Sequence, residues 1–255
     1  MKRAILSGVF LSSVFVASAM IHLPAQFIVQ HAPLPSQLRI AGVEGTVWQG
    51  SAQQVQWQGI NYGTLSWQLN PVKMFSGGLE AQVRFGKGSD FSVQGRGTVG
   101  VDMSGFYANQ MLASIPVEKL LTLMPPLPFP LDLSGPVEIN LRSYRYAQPY
   151  CDSAQGSLVW NTGSVGSPLA DLYLGPVIAQ FSCQQNRIDV EGEQKSKEVE
   201  SGFVAKVNAI ERNYQGSGWF KPLAEFPQTL QQQLKWLPEQ ADNEGKYQFS
   251  KQGRL

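Results

Sequence analysis

Apolar and polar positions alternate with a period of two along most of the chain, and the apolar set falls on one side each time. Leu79, Ala81, Val83 and Phe85 alternate with Glu80, Gln82 and Arg84. Phe91, Val93, Val99 and Val101 share a side, opposite Ser92, Gln94, Arg96 and Thr98. Further on, Val137, Ile139 and Leu141 oppose Glu138, Asn140 and Arg142, while Val177, Ala179, Phe181 and Cys183 oppose Gln180 and Ser182. Ile188 and Val190 oppose Asp189, Glu191 and Glu193. Successive side chains of a strand point to opposite faces, so one apolar face and one wet face describe an antiparallel sheet. Helical spacing is confined to Ile115–Met124, stopped by Pro125-Pro126, and to Leu223–Leu237, interrupted at Pro227 and closed by Pro238. Two helices of that size do not cover a sheet of about ten strands. The fold class is all-β, and the apolar faces meet in a sandwich, close into an open barrel, or curve into a groove.

The amino-terminal pattern is different. Met1-Lys2-Arg3 is followed by twenty residues, Ala4 to Leu23, without an acid, lysine or arginine. As a helix that stretch is roughly 30 Å long, one bilayer hydrocarbon core. Ala17-Ser18-Ala19 also satisfies a signal peptidase site, but apolar character continues through Met20, Ile21 and Leu23, which favours an uncleaved single transmembrane anchor. The cations precede the span and the next one is Arg39, so the tail at residues 1–3 is expected in the cytoplasm and the bulk of the chain in the periplasm. Residues 24–37 form a linker in which His31 is followed by Pro33 and Pro35.

Glycine and tryptophan mark an internal repeat. Gly45-Thr46-Val47-Trp48 is followed by Gly63 to Leu69 with Trp67, and Gly156 to Trp160 is followed by Gly175 to Phe181. Each unit is expected to be a glycine-led strand with an inward tryptophan, a return loop, and a second glycine-led strand. The tryptophans are expected to anchor a core rather than to form a ligand platform. The chain then divides into two halves, 38–124 and 134–255, joined by the proline-rich connector 125–133. Cys151 and Cys183 are the only cysteines and lie on the oxidising side of the membrane, where a disulfide is expected.

Composition narrows the chemistry. Charged residues are 15% of the chain, against about 25% in ordinary proteins, and the net charge is +1, so the chain is not a basic nucleic-acid arm. The 26 glutamines and 25 glycines suit short strands joined by turns. Two histidines and two cysteines spread along the chain do not supply the four close ligands that a thiolate and imidazole zinc site needs. Gly95-Arg96-Gly97-Thr98-Val99-Gly100 matches the dinucleotide fingerprint in letters, but strand alternation runs through it and no helix follows. Both histidines fall within the first 31 residues, and no serine hydrolase spacing exists. No catalytic residue, cofactor or metal is expected.

Several of these segments together bear a likeness to one family. The Lys/Arg-led span, Gly45 to Ala52, Gly63 to Leu69 with Pro71, the central prolines, Cys151 with Ala154-Gln155-Gly156 and Trp160, Cys183, and Gly245-Lys246-Tyr247 resemble the N protein of the type II (general) secretion pathway. The element at Gly45 to Ala52 is also similar, more weakly, to the repeats of AsmA-type envelope proteins, whose sheets form lipid-carrying grooves. The first resemblance implies a non-catalytic inner-membrane component whose periplasmic β domain contacts other secretion proteins, the C protein among them. The second implies a carrier of lipid or other apolar cargo.

Overall fold

The computed structural model describes residues 2–31, 33–121, 132–167 and 170–254. Helix α1 (Lys2–Ile21) leads into α2 (Ala25–His31). The body then begins with β1 (Leu38–Gly45), β2 (Gln49–Trp57), the two-residue β3 (Ile60–Asn61) and β4 (Leu65–Leu69). Helix α3 (Pro71–Phe75) precedes β5 (Leu79–Phe85), β6 (Gln94–Asp102), β7 (Gly105–Pro116) and α4 (Val117–Leu121). After these come β8 (Asp132–Ser134), β9 (Pro136–Arg145), β10 (Ser153–Gly166), β11 (Asp171–Gln184), β12 (Arg187–Lys195), β13 (Val199–Asn208) and β14 (Asn213–Pro222). Helix α5 (Gln228–Gln233) and β15 (Tyr247–Arg254) complete the chain.

All fifteen strands belong to one sheet, in the order β1-β2-β4-β5-β6-β7-β9-β10-β11-β12-β13-β14-β15, with β3 on β2 and β8 on β10. Every pairing is antiparallel, so neighbours along the chain are neighbours in space. Strands β1 and β15 stand at the two ends of this order and do not pair with each other, so the sheet is not closed. The sheet is therefore not a closed barrel, and the strands are not divided between two sheets; one open sheet remains. Hydrogen bonding passes without a break from β7 to β9, joining the two sequence halves.

Where the expected apolar residues lie in strands, the register puts them on one face. Leu79, Ala81 and Val83 lie opposite Val101, Val99 and Gly97; Ala113 and Ile115 lie opposite Ile139 and Val137; Phe181 and Cys183 lie opposite Val190 and Ile188. Gln110 takes a φ of 50° at the β6–β7 irregularity, and a second irregularity lies between Gln155 and Gly156; such bulges let strands bend without changing face for good.

Three expectations need correction. Phe91 and Val93 are not in a strand but in the loop between Phe85 and Gln94, where their alternation is accidental. Ile115 and Pro116 end β7, so the first helical segment shrinks to the single turn α4, and the rest of it lies outside the described residues. The segment Leu223–Leu237 holds only α5 and a 3-10 turn at Leu234–Trp236, because Pro227 admits a helix only after itself. The linker contains α2, while most of the connector 125–133 lies outside the described residues. The anchor expected at 4–23 coincides with α1, whose side chains are described mainly from Phe10 onward; among the described residues no helix is long and apolar enough to cross a membrane.

Candidate functional site

One face of the sheet is apolar, and among the described residues no second layer packs over it. A compact domain of 255 residues exposes on the order of 11,000 Å², whereas this chain exposes 17614 Å². Among the described residues the buried apolar side chains are few, five of them alanines and two the paired cysteines, and no large side chain is fully buried. Val83, Val99, Ile139, Leu158, Phe181 and Val190 are only half-buried, shielded by neighbours in the same layer. A second sheet or a helical layer normally completes such a face.

The face is built from a cross-strand device that the sequence did not disclose. Aromatic rings lie over glycines directly opposite them: Phe85 over Gly95, Phe181 over Gly156, Phe203 over Gly192, and Phe249 over Gly218. Each ring fills the space that a Cβ would take, so even an alanine there displaces the ring or a backbone atom. Glycine leaves a strand poorly packed, and an aromatic laid across it restores the lost contact. The signal in the sequence was a glycine at an apolar-face position, but its aromatic partner is found only once register is known.

Near the start of β10, the disulfide between Cys151 and Cys183 joins chain segments 32 residues apart, with Cα atoms 6.5 Å apart. Tyr144 and Ile188 pack against it with Ala154. Asn186 supports the same corner: its side-chain oxygen accepts from the backbone N–H groups of Tyr150 and Cys151, both at 2.9 Å.

The repeat anchors occupy varied places. Gly45 closes β1 with φ 88°, and Gly63 precedes β4 with φ 79°. Gly156 sits within β10 under Phe181, and Gly175 lies inside β11 where the register with β10 shifts. The tryptophans are half-buried stitches rather than inward core residues. Trp48, in the β1–β2 turn, donates its indole N–H to the Met20 carbonyl at 2.8 Å. Trp67 donates to Val47 O at 3.0 Å, and Trp160 to Ser134 O at 2.9 Å.

The opposite face is polar and locally knit. Tyr107 donates to Glu80 Oε2 at 2.9 Å and Asn70 donates to Glu80 Oε1 at 3.0 Å, with Lys73 Nζ 3.9 Å away. Asn70 also caps α3 by accepting from Val72 N, with Pro71 in the first turn. Arg145 donates both guanidinium nitrogens to Asp102, at 2.9 and 3.0 Å, and lies 5.4 Å from the Tyr107 ring centre. The Asn70 hydrogen bond holds the Glu80 carboxyl below its ordinary range against the opposing pull of burial, with Tyr107 and Lys73 adding to it. The Arg145 hydrogen bond does the same for Asp102, helped by the Ser104 amide. Burial, and then Glu80, pushes the Tyr107 hydroxyl up. These groups tie β5, β6, β7 and β9 together and hold one another saturated, which suits a structural clasp rather than a reactive centre. No group of three or more potential metal ligands occurs among the described residues.

Comparison with known proteins gives a consistent picture. The family described as type II secretion system (T2SS), protein N, matches residues 36–250. A type II secretion system protein N of Vibrio cholerae serotype O1 is 44% identical over 255 residues, covering all of both chains. One from Aeromonas hydrophila is 29% identical over 258 residues, again covering all of both. One from Klebsiella pneumoniae is 26% identical over 186 residues, or 72% of this chain and 69% of the relative. No solved structure matches.

Proposed function

We propose a non-catalytic scaffolding role in type II secretion for this chain, which belongs to the type II secretion system protein N family. Residues 4–23 anchor it in the inner membrane, residues 1–3 face the cytoplasm, and the sheet stands in the periplasm. There it offers its apolar face and the strand edges β1 and β15 to other secretion components, with the inner-membrane C protein as the expected neighbour. The observation that supports this most is the uncovered apolar face: a surface of that size and character is completed by a partner. Unpaired strand edges add a second mode of contact by strand addition. The polar clasp has no free acid, base or nucleophile to offer, which accords with a role free of catalysis.

The test is photocrosslinking in cells that carry the full secretion machine. A photoreactive residue replacing Val83, Ile139 or Val190 on the apolar face is expected to capture a secretion component, while one replacing Gln82 or Asp189 on the polar face captures little. Equal capture from both faces would remove the scaffold reading.

A second reading draws on the same face. Its rings lie over glycines on a face rich in apolar side chains, and aliphatic chains suit such a surface. In that reading the protein carries lipid or other apolar cargo, as the weaker resemblance to AsmA-type repeats implies. Native mass spectrometry of the detergent-extracted protein separates the two: bound lipid of defined mass favours the carrier, and none favours the scaffold.

A further inference from the structure

The β1–β2 turn is fastened to the end of α1. Val47 N donates to Leu23 O at 3.0 Å, Trp48 Nε1 donates to Met20 O at 2.8 Å, and Pro24 bridges to Thr46. Leu69 N donates to Trp48 O at 2.7 Å, which brings the chain entering α3 beside that turn. The β6–β7 turn at Met103-Ser104 lies at the same end of the sheet, because Leu79, just after α3, pairs with Val101. The exit of α1, α3 and the Met103 turn therefore share one end of the first-half strands.

That end is unusually apolar for turns. Val72 is 71% exposed, Phe75 94%, Met103 98% and Phe106 66%. Lys73 is the single charged residue in segments 46–48, 71–77 and 103–104. At the opposite end of the same strands, segments 58–64 and 86–93 hold Lys87 and Asp90, and among the described residues none of their large apolar side chains is more than half exposed. A hollow of about 390 Å³ bordered by Leu69, Leu79, Val99, Val101, Phe106 and Tyr144 opens on the apolar face beside the exposed group.

We propose that this end of the sheet is a second membrane contact, with Val72, Phe75, Met103 and Phe106 seated among the lipid headgroups of the leaflet from which α1 emerges. The inference rests on the anchor reading above. Large apolar side chains at turn tips contribute nothing to packing in water, whereas at the bilayer interface they are favourably placed. The bonds from Val47 and Trp48 to the end of α1 fix which end faces the lipid. Lys73, next to Glu80, is too isolated to make the contact electrostatic, so the anionic lipid fraction has little influence on it. The strands then stand away from the bilayer, and the apolar hollow adjoins it.

The experiment uses the full chain reconstituted into vesicles of phosphatidylethanolamine and phosphatidylglycerol. Both native cysteines are in the disulfide, so a nitroxide label attaches to a single introduced thiol at Phe75→Cys, Met103→Cys, Lys87→Cys, Asn243→Cys or Val16→Cys. Collision with oxygen, which concentrates in lipid, is compared with collision with a water-soluble nickel chelate. Labels at 75, 103 and 16 are expected to meet oxygen and to meet nickel severalfold less than labels at 87 and 243. Labels at 75 and 103 as open to nickel as those at 87 and 243, with 16 immersed, would overturn the second contact and leave the anchor standing. A label at 16 open to nickel would remove the anchor and this inference with it. Low collision with both reagents at 75 and 103 would mean burial against protein, which also overturns the proposal.

Discussion

The two faces of this sheet both carry rings laid over glycines but differ in what else holds them. The polar face is stitched by directed bonds between long side chains: Tyr107 to Glu80, Arg145 to Asp102, Lys195 to Glu200 at 3.2 Å. The apolar face, over which no second layer lies among the described residues, relies on rings laid over glycines, as the polar face also does at Tyr107 over Gly100 and Trp219 over Gly202, and on one covalent link. The difference teaches that a sheet can remain ordered without a conventional core when its strands are long, consecutive and antiparallel, each paired on both sides except at the edges. Stability then resides in neighbour pairs, as in repeat proteins where each unit touches only the next. The apolar face is thereby left free for something other than folding.

The largest effect is expected from the covalent link. Replacing Cys151 and Cys183 together by alanine frees a loop of about 30 residues, and loop entropy alone makes that worth roughly 3 to 4 kcal/mol. Urea unfolding of the full chain in detergent, with and without the replacement, measures it. A cost below about 1 kcal/mol would mean that Asn186 and the strand pairing already close this corner, and that the apolar face needs no covalent help.

Next come the ring and glycine pairs. Phe181→Ala in a closed core costs about 3 to 5 kcal/mol; on a face with water above it roughly half of that is expected, since only part of the ring's surface is withdrawn from solvent. Gly156→Ala is expected to cost about 1 to 3 kcal/mol, because the new methyl meets the Phe181 ring and the Asn140 carbonyl. The full core value for Phe181→Ala would break the comparison at its root, by showing that the apolar face is covered when the protein is isolated.

How much of this was legible beforehand follows from where each signal resides. Strand identity is local, and the period of two at Leu79–Phe85 and Val137–Leu141 disclosed both the strands and their apolar side. The one-sheet order followed less directly, since consecutive hairpins admit an open sheet, a sandwich and a barrel alike. What covers a face is not local at all: the alternation of Val177 to Cys183 is the same whether another layer or a partner lies above it. The glycine and aromatic pairs depend on register between strands, so Gly156 could be marked as special without Phe181 being named as the reason. Phe91 and Val93 misled because a loop can keep alternation by chance. The clasp around Glu80 joins residues from position 70 to position 145, and no spacing in the chain announces it.

On the polar face the expected effects are smaller and depend on pH. Tyr107→Phe removes a hydrogen bond to a carboxylate and is expected to cost about 1 to 2 kcal/mol at neutral pH. Glu80 and Asp102 are held below their ordinary values of 4.5 and 3.8. A carboxyl lowered by folding contributes stability that is fully present above its unfolded value and is lost as pH falls through its folded one. The clasp is therefore intact at pH 7 and weakens below about 4.5. Glu80→Gln is expected to flatten the fall in stability between pH 5 and pH 3, read from urea midpoints across about that range. An unchanged slope would mean that the Asn70 and Tyr107 bonds do not hold Glu80 in solution.

The smallest effect concerns a mismatch on the same face. Arg84 and Arg96 stand directly opposite each other on β5 and β6, both exposed, and like charges so placed repel. The salt bridges among the described residues include neither of them. Arg96→Glu turns the repulsion into an attraction and is expected to raise stability by roughly 0.5 kcal/mol at low salt, with the gain fading as ionic strength rises and shortens the screening length. Urea midpoints at low and high salt check both parts. A loss of stability instead of a gain would mean that the two guanidinium groups are engaged with other parts of the polar face. The polar face would then be as fully knit beside Arg84 as it is beside Glu80, and the contrast between a stitched face and a bare one would sharpen rather than weaken.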